Sequence, residues 1–266
     1  MKIVKGLDDC FRDHRNSAAG NDDTWNQFTS LTDTVPYLKQ HRDWVEANGW
    51  GFGDRAFHYM WYLLLTHDVL RRKGPRLLEI GVYMGQVVSL WALIAARTGA
   101  PSEIYGITPL EGSGTHVPTI FRRLWYHLSS TYREEVQNGN IYKSQDYGRA
   151  IRRIFSEFDL PFSQLKLIRG YSQEPHVRAL LDDVGFDVIY IDGGHRYEDV
   201  TEDLRWYAPR VNPGGYLVLD DAACFQPGTQ FYKGHEAVSR AVEDWECNGF
   251  TNVLNVGHNR IFRRAD

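Results

Sequence analysis

The segment Asp187–Asp221 constrains the fold more than any other part of the chain, because it holds two apolar runs that each stop at acidic residues. The first run stops at Asp192, and the second follows Pro213-Gly214-Gly215 and stops at Asp220 and Asp221. A polar helical stretch joins the two runs, which indicates two strands of an open, mostly parallel sheet. Ligands of such sheets bind outside the carboxyl ends of the strands, so we expect the three carboxylates to line a site.

Three carboxylates at one rim suit a divalent cation that prefers oxygen ligands, such as Mg²⁺. The adjacent acids Asp220 and Asp221 also repel each other unless a positive charge offsets them. The alternative is purely structural: Asp192 caps the following helix, and the other two acids are turn residues. His195 lies one helical turn beyond Asp192 on the same rim. It is a candidate general base, although a lone histidine near a helix start more often caps or packs.

The composition argues against several classes of protein. With 266 residues and a net charge of -4, the chain lacks the general basic surface of a dedicated nucleic-acid binder. Its three cysteines are far apart and lack CxxC spacing, so neither a disulfide framework nor a zinc site is expected. No apolar run approaches the length of a membrane span, and the N-terminus is charged throughout. We therefore expect a cytoplasmic protein without a signal or a membrane anchor.

Residues 1–70 are predicted to form a helical cover on the rest of the chain. They are polar, with isolated tryptophans, up to a helix predicted from Arg55 to about Leu70. That helix is apolar on most of its circumference and should be buried, with Asp54 as a candidate cap. Because these apolar groups need cover, we expect a second subunit of a homo-oligomer to supply part of it.

From residue 76 onward strands alternate with helices, which predicts a single α/β domain built as a three-layer sandwich. The sheet is expected to be mainly parallel and seven-stranded, with a C-terminal antiparallel hairpin around Gly257-His258-Asn259. Residues 117–160 are predicted to be a helical insertion in two pieces, broken around residues 138–140, in a position suited to a lid or a substrate wall. The predicted strands cover residues 76–79, 103–107, 165–168, 186–191, 216–219, 252–256 and 260–263.

A second informative feature is the turn after the first strand, where Glu79 is followed by Gly81 and Gly85. Glycines in a strand-to-helix turn let the backbone approach a ligand, and the acid can accept from a ribose or an amine. The spacing differs from the dinucleotide fingerprint G-x-G-x-x-G, which argues against a nicotinamide enzyme, and it also matches ordinary turns by chance. We expect a bulky residue at Gly81 to abolish cofactor binding while leaving the fold largely intact.

Four stretches together resemble a known family: RLLEIGVYMGQ, LKLIRGYSQE, DVIYIDGGHRYEDVTEDLRWYAPRVNPGGYLVLDD and the final hairpin. They are similar to class I S-adenosylmethionine-dependent methyltransferases. More narrowly, they resemble the metal-dependent O-methyltransferases of antibiotic and macrolide biosynthesis, the macrocin and rhamnosyl group. The similarity covers residues 76–264, and the motif I-D-G-x-H-x-Y-x-x-V-x-x-D-L with P-G-G and D-D is its most specific part. It implies a Rossmann-like fold with S-adenosylmethionine and Mg²⁺ as cofactors.

The resemblance also implies roles for individual residues. Asp192, Asp220 and Asp221 would hold Mg²⁺, and either His195 or Asp192 would be the base that acts on the acceptor hydroxyl. The family usually has an acid where this chain has Thr108, so Glu111 is the candidate substitute in ribose recognition. The cofactor would lie against Glu79, Gly81, Tyr83, Gly85, Thr108, Glu111, Gly170, Tyr171, Ser172 and Asp192.

Such a site favours a small-molecule acceptor with neighbouring hydroxyls, either a sugar of a glycosylated natural product or a catechol. Methyl transfer from a sulfonium is an in-line displacement, so holding a nucleophilic oxygen close to the methyl carbon supplies much of the catalysis. Two alternatives remain. A nicotinamide-dependent dehydrogenase would need the glycine fingerprint that is absent, and a cofactor-binding homologue without turnover is favoured only by Thr108.

Overall fold

The structure, a computed structural model, describes residues 6–112, 121–137, 145–226, 228 and 230–266. The described residues form one sheet with strands β1 Arg76–Ile80, β2 Glu103–Thr108, β3 Leu165–Arg169, β4 Phe186–Ile191, β5 Val211–Leu219, β6 Phe250–Val256 and β7 Asn259–Arg264. The strand order is β3-β2-β1-β4-β5-β7-β6. Strands β1 to β5 are parallel, and β7 runs antiparallel to β5 and β6. The predicted mainly parallel sheet with a reversed C-terminal hairpin is confirmed.

Helices cover both faces of this sheet. They are α1 Leu7–Asp13, α2 Ala18–Thr32, α3 Pro36–Asn48, α4 Arg55–His67, α5 Gln86–Thr98, α6 Arg122–Leu128, α7 Ser130–Gln137, α8 Tyr147–Glu157, α9 Pro175–Ala179, α10 Tyr197–Tyr207 and α11 Glu236–Asp244. Alternate strand residues point to opposite faces, so Leu77 and Val188 join the apolar cluster of α4 and α5, whereas Leu78 and Ile189 join that of α10 and α11. The predicted three-layer sandwich is confirmed.

Strand β5 begins at Val211, earlier than predicted, so the Pro213-Gly214-Gly215 segment lies within the strand. The pairing of β4 with β5 shifts its register between Phe186 and Val188, as in a β-bulge. A Cβ on the second glycine of this segment would stand 2.9 Å from the carbonyl oxygen of Asp187. The close approach of the two strands therefore requires glycine there, and the Pro-Gly-Gly signal marks an irregular strand instead of a turn.

The predicted insertion at residues 117–160 contains three helices in its described part, where two were expected. Helices α6 and α7 pack on each other, whereas α8 packs on α5 and leads into β3 as the crossover helix. The break expected around residues 138–140 lies outside the described residues. Only α6 and α7 are thus additional to the crossover that a parallel sheet needs.

The N-terminal helices cover one face of the sheet, since α2 and α3 pack on α4, and α4 packs on α5. The apolar surface of α4 is buried within one chain: Trp61 is 1% exposed and contacts the rings of Trp91 and Tyr190. Asp54 precedes α4 as predicted, but its carboxylate accepts from Trp25 Nε1 at 2.9 Å and not from a helix N–H. One subunit covers α4 by itself, and the homo-oligomer stays a prediction. Within the described ranges, every helix is too short or too polar to cross a bilayer.

Candidate active site

Three strand ends meet at one rim of the sheet. The residue after β4, Asp192, donates its backbone N–H to Ile80 O at 2.9 Å, and Asp220, after β5, donates to Ile191 O at 3.0 Å. Strand β1 pairs with β2 on one side and with β4 on the other, so this rim lies where the strand order reverses. Ligands of open α/β sheets bind at that position. The acids predicted for the site therefore lie where a ligand is expected.

The two adjacent acids have a cationic partner that was not predicted. His258 Nδ1 lies 2.9 Å from Asp220 Oδ1 and 3.1 Å from Asp221 Oδ1, and the imidazole is buried. His258 belongs to the turn between β6 and β7. Because β7 runs antiparallel to β5, the turn before β7 lies beside the residues that follow β5. This relation between strand directions is the signal that could have located His258.

The negative charges of Asp220 and Asp221 are partly compensated by the positive charge of His258. Burial by itself lowers the pKa of His258, but the two carboxylates raise it to about 10, so the imidazole is protonated at neutral pH. Burial conversely raises the pKa of Asp220, yet the contact with His258 outweighs it and holds that pKa below its ordinary value. The His258 imidazolium therefore supplies one positive charge beside the two adjacent acids.

Asp192 lies beside Asp220, and no cationic side chain in the described part of the chain is paired with it. Burial, and then the charges of Asp220 and Asp221, raise the pKa of Asp192 well above its ordinary value. A bound cation would oppose this shift. Among the described side chains, Asp220, Asp221 and His258 lie close enough together to share one ion. Asp192 does not belong to that group. Asp192, Asp220 and Asp221 at one rim nevertheless offer the oxygen donors that a divalent cation prefers.

His195 lies on the rim as predicted, beside a second histidine that was not predicted. Its Nε2 lies 3.3 Å from Asp221 Oδ2, and its ring stacks on that of His235 with centroids 4.3 Å apart. His235 Nε2 lies 3.7 Å from the same carboxylate oxygen. Burial, and then the nearby His195, lower the pKa of His235. Both imidazoles therefore lie against the Asp221 carboxylate at the rim.

A small cavity of about 40 Å³ lies beside these acids, at the ends of β1 and β4. Glu79 is 2% exposed and accepts from the backbone N–H of Val88 at 3.1 Å, in the first turn of α5. Burial raises the pKa of Glu79 well above its ordinary value. Residues predicted for the cofactor and for the metal are thus brought around one cavity, which is lined by Glu79, Gly81, Tyr83, Asp192 and Asp220, together with residues of α4 and of the segment before it.

Gly81 is required by packing as well as by any ligand. Its φ is +98°, and a Cβ there would stand 1.8 Å from the carbonyl oxygen of Asp192. The expectation that a bulky residue at Gly81 leaves the fold largely intact is therefore wrong, because the turn between β1 and α5 packs directly on the end of β4. Gly85, at the N-cap of α5, has a φ of +89° and faces the side chain of Ile151.

The residues predicted for the ribose and the adenine lie at the ends of β2 and β3. Thr108 is buried: its Oγ1 accepts from Leu110 N at 3.2 Å, and its carbonyl accepts from Gly170 N at 3.0 Å. Tyr171 is 53% exposed, and burial of its hydroxyl, followed by the charge of the exposed Glu111, raises the pKa of Tyr171. The Thr108 hydroxyl is thus used within its own turn, whereas Glu111 and Tyr171 lie close together at the surface.

Ser172 is buried against helix α10. Its carbonyl accepts from the hydroxyl of Tyr207 at 2.9 Å, and its side chain hydrogen-bonds to Asp203. Asp203 also accepts from Gln173 Nε2 at 3.0 Å. Asp203 is the final acid of the motif quoted above, and these contacts show that it joins the loop after β3 to α10. Burial raises the pKa of Asp203 to about 7.

We expect the Asp203→Asn protein to be more stable than the wild type at about pH 8, by about 1–3 kcal/mol. The folded-state pKa of about 7 exceeds the value of about 3.9 for an unfolded aspartate, so the folded chain binds the proton more tightly. Stability is therefore lost as the pH rises from about 4 to about 7, and asparagine does not ionise. Urea unfolding should show that the difference in unfolding free energy between Asp203→Asn and the wild type becomes smaller at about pH 5. The exposed control Asp23→Asn should not differ from the wild type at either pH. Equal stability at about pH 8 would contradict this assignment.

A family model described as "Methyltransferase domain" matches residues 78–222 of the chain. A curated relative, Uncharacterized protein R132 of Acanthamoeba polyphaga mimivirus, is 31% identical over 97 residues. That alignment covers 36% of this chain and 42% of the relative, so the match spans less than half of the relative's length.

Solved structures of methyltransferases have the same fold. The calicheamicin methyltransferase CalS11 is 15% identical, with a TM-score of 0.56, and the alignment covers 100% of this chain and 99% of that one. An O-methyltransferase from Bacillus cereus in complex with SAH is 13% identical, with a TM-score of 0.55 over 92% and 99% of the two chains. The O-methyltransferase TomG from Streptomyces achromogenes, in complex with SAM, is 15% identical, with a TM-score of 0.52 over 92% and 99%. Identities this low show the shared fold alone.

Proposed function

Because the chain belongs to the family of methyltransferase domains, we propose that it transfers a methyl group from S-adenosylmethionine to a hydroxyl oxygen of a small molecule. The observation that carries this proposal is the cavity at the end of β1 and β4, where Glu79, Gly81 and Tyr83 adjoin the acids of the rim. A cofactor held there would present its methyl group beside groups that can orient and deprotonate an acceptor. The complexes of the Bacillus cereus and Streptomyces achromogenes proteins with SAH and SAM support this choice of cofactor.

We assign the methionine part of the cofactor to the turn that contains Glu79, Gly81 and Gly85, and to the neighbouring Asp192. Tyr83 in the same turn has ring contacts with Phe52 at 5.1 Å and, on α8, with Tyr147 at 5.5 Å. These three rings would form an aromatic wall beside the reacting groups.

The ribose and the adenine are assigned to the ends of β2 and β3. Thr108 uses its hydroxyl within its own turn, which supports Glu111 as the carboxylate that accepts from the ribose. Gly170 and the exposed Tyr171 would border the adenine. Ser172, which is buried on Asp203, would act by holding this loop in place.

Mg²⁺ is proposed as the second cofactor, held by Asp192, Asp220 and Asp221. The raised pKa of Asp192 supports this, because it reflects repulsion by Asp220 and Asp221 that a cation would offset. When bound, such an ion orients two neighbouring oxygens of an acceptor and lowers the pKa of the hydroxyl. His258 keeps the two adjacent acids paired in either case.

His195 is proposed as the general base. Asp221 lies 3.3 Å from its Nε2 and fixes the ring at the rim, where the imidazole would take the proton of the acceptor hydroxyl as the oxygen attacks the methyl carbon. Asp192 suits this role less well. It is assigned to the metal, so its carboxylate would be coordinated and not available to take a proton.

The acceptor is proposed to be a compound with vicinal hydroxyls, such as a sugar of a natural product or a catechol. The test is methyl transfer from methyl-labelled S-adenosylmethionine to a panel of vicinal diols, with single alcohols as controls. Labelling of diols alone is the expected result. Cofactor binding without transfer to any member would favour the cofactor-binding homologue without turnover.

We expect this transfer to stop in excess EDTA and to return when Mg²⁺ or Mn²⁺ is added. Asp220→Asn should weaken metal binding, because it removes a full negative charge from a site for a hard cation. The exposed Asp8→Asn is the matched control and should behave as the wild type. Metal affinity is measured by calorimetry, and activity is measured with the labelled cofactor. Full activity in EDTA would contradict the metal part of the proposal and leave methyl transfer intact.

A further inference from the structure

Three buried polar side chains form a hydrogen-bonded chain behind the cavity. His41 Nε2 lies 3.0 Å from Ser89 Oγ, and His41 Nδ1 lies 2.9 Å from His58 Nε2. The three residues are each at most 1% exposed, and they come from α5, α3 and α4. Burial lowers the pKa of His41 to about 3 and that of His58 well below its ordinary value, so both rings are neutral.

The directions of these hydrogen bonds can be assigned from the hydroxyl at one end. Ser89 Oγ donates to the carbonyl of Gln86 at 3.1 Å. A hydroxyl has one proton to donate, so Ser89 accepts from His41 Nε2–H. The neutral ring of His41 then has its lone pair on Nδ1 and accepts from His58 Nε2–H. His58 therefore carries its own lone pair on Nδ1, the nitrogen outside the chain.

His58 Nδ1 is buried, and no described residue forms a hydrogen bond with it. His58 lines the 40 Å³ cavity together with Glu79, Asp192 and Asp220. An unpaired buried acceptor is costly, so this nitrogen needs a partner from within the cavity. The ionisable side chains around the cavity are one imidazole, two tyrosine hydroxyls and three carboxyl groups. They favour a ligand group that is positively charged and donates hydrogen bonds.

We propose that His58 is a cofactor-binding residue, whose Nδ1 accepts a hydrogen bond from the α-ammonium group of S-adenosylmethionine. The inference rests on the proposed function, which supplies the cofactor. The cavity of about 40 Å³ admits a group of this size, since about 10–15 Å³ of such space already holds one water molecule. An ammonium group has three donors, enough for His58 and for Glu79, the carboxyl group of the cavity that is not assigned to the metal. The N-terminal cover would thereby contribute directly to the cofactor site.

The test compares two replacements of His58 in the full chain. Glutamine keeps a donor near the Nε2 position for His41 but has no group at the Nδ1 position, whereas asparagine keeps an amide group near Nδ1. We expect His58→Gln to weaken binding of S-adenosylhomocysteine by about 10-fold to 100-fold, as for a hydrogen bond to a charged group. His58→Asn should lose less. Binding of an analogue that lacks the α-amino group should be equally weak in all three proteins, as measured by calorimetry.

Each outcome bears on one proposal. If the wild type and His58→Gln bind S-adenosylhomocysteine equally, Nδ1 faces only a structural water, and the inference is overturned while the proposed function stands. If the folded wild type binds none of the ligands, the proposed function fails as well. Should the variants not fold, the ¹⁵N chemical shift of His58 Nδ1 in the wild type decides. It should move on addition of S-adenosylhomocysteine and stay constant with the analogue, and an unchanged shift would overturn the inference.

Discussion

The His195→Ala protein is expected to methylate its acceptor about 10²-fold to 10⁴-fold more slowly than the wild type, the usual contribution of a positioned general base. Asp221 lies 3.3 Å from His195 Nε2 and fixes the ring at the rim. The substitution removes the proton acceptor without removing a group assigned to the cofactor or the metal. Affinities for S-adenosylhomocysteine and Mg²⁺ should therefore stay nearly unchanged, which separates a catalytic loss from a binding loss. Turnover is measured with saturating labelled cofactor.

His235→Ala is the matched control, since this ring stacks on His195 and also approaches Asp221. Losing the stacking partner should disturb the position of His195 and cost about 10-fold or less in turnover. The assignment of the base would be contradicted if His195→Ala kept its turnover within this range, or if His235→Ala showed the larger loss.

The His258→Gln protein is expected to lose about 3–5 kcal/mol of unfolding free energy in EDTA, the usual cost of removing one partner from a buried ion pair. His258 lies within 2.9 Å and 3.1 Å of two carboxylates and is buried, so its removal leaves adjacent negative charges without compensation. Mg²⁺ should restore part of the loss, because an ion that binds only the folded carboxylates stabilises the folded state. Urea unfolding with and without Mg²⁺ measures both effects.

His176→Gln is the control for this stability experiment, because that side chain is 64% exposed. It should unfold like the wild type with and without the ion. A His258→Gln protein as stable as the wild type in EDTA would show that the two acids do not depend on the imidazolium. Rescue of the control by Mg²⁺ to the same extent would show that the ion acts elsewhere.

The sheet could be predicted because its signals are local. The apolar runs of β4 and β5 stop at Asp192 and at Asp220, and buried parallel strands read as continuous apolar segments. The β1 turn with Gly81 and the acids of the rim were likewise readable from the order of residues. The methyltransferase family that these stretches resembled is confirmed by the family match over residues 78–222.

The partners of the rim acids could not be read in the same way, because they depend on how distant segments pack. His258 is 37 residues beyond Asp221 and looked like an ordinary hairpin residue. Its place beside the acids follows only once β7 is paired antiparallel to β5. His235 precedes α11 and carries no motif, so nothing local distinguishes it from a surface histidine.

Two local signals were outweighed by tertiary packing. The Pro-Gly-Gly segment is a strong turn signal, yet it lies inside β5, where the register shift between Phe186 and Val188 accommodates it. Gly81 is a typical ligand-approach glycine, yet the nearest atom to its missing side chain is the Asp192 carbonyl oxygen. In both cases the backbone of a neighbouring strand, and not the local sequence, determines the structural role of the glycine.

Titration of the purified full chain with S-adenosylhomocysteine in a calorimeter shows most directly whether the cavity between β1 and β4 is a cofactor site. We expect saturable binding of one molecule per chain, with S-adenosylmethionine competing for the same site. A folded wild-type chain that shows neither heat nor competition at ligand concentrations up to about 1 mM, where binding is worth only about 4 kcal/mol, would contradict the assignment of this chain as an S-adenosylmethionine-dependent enzyme.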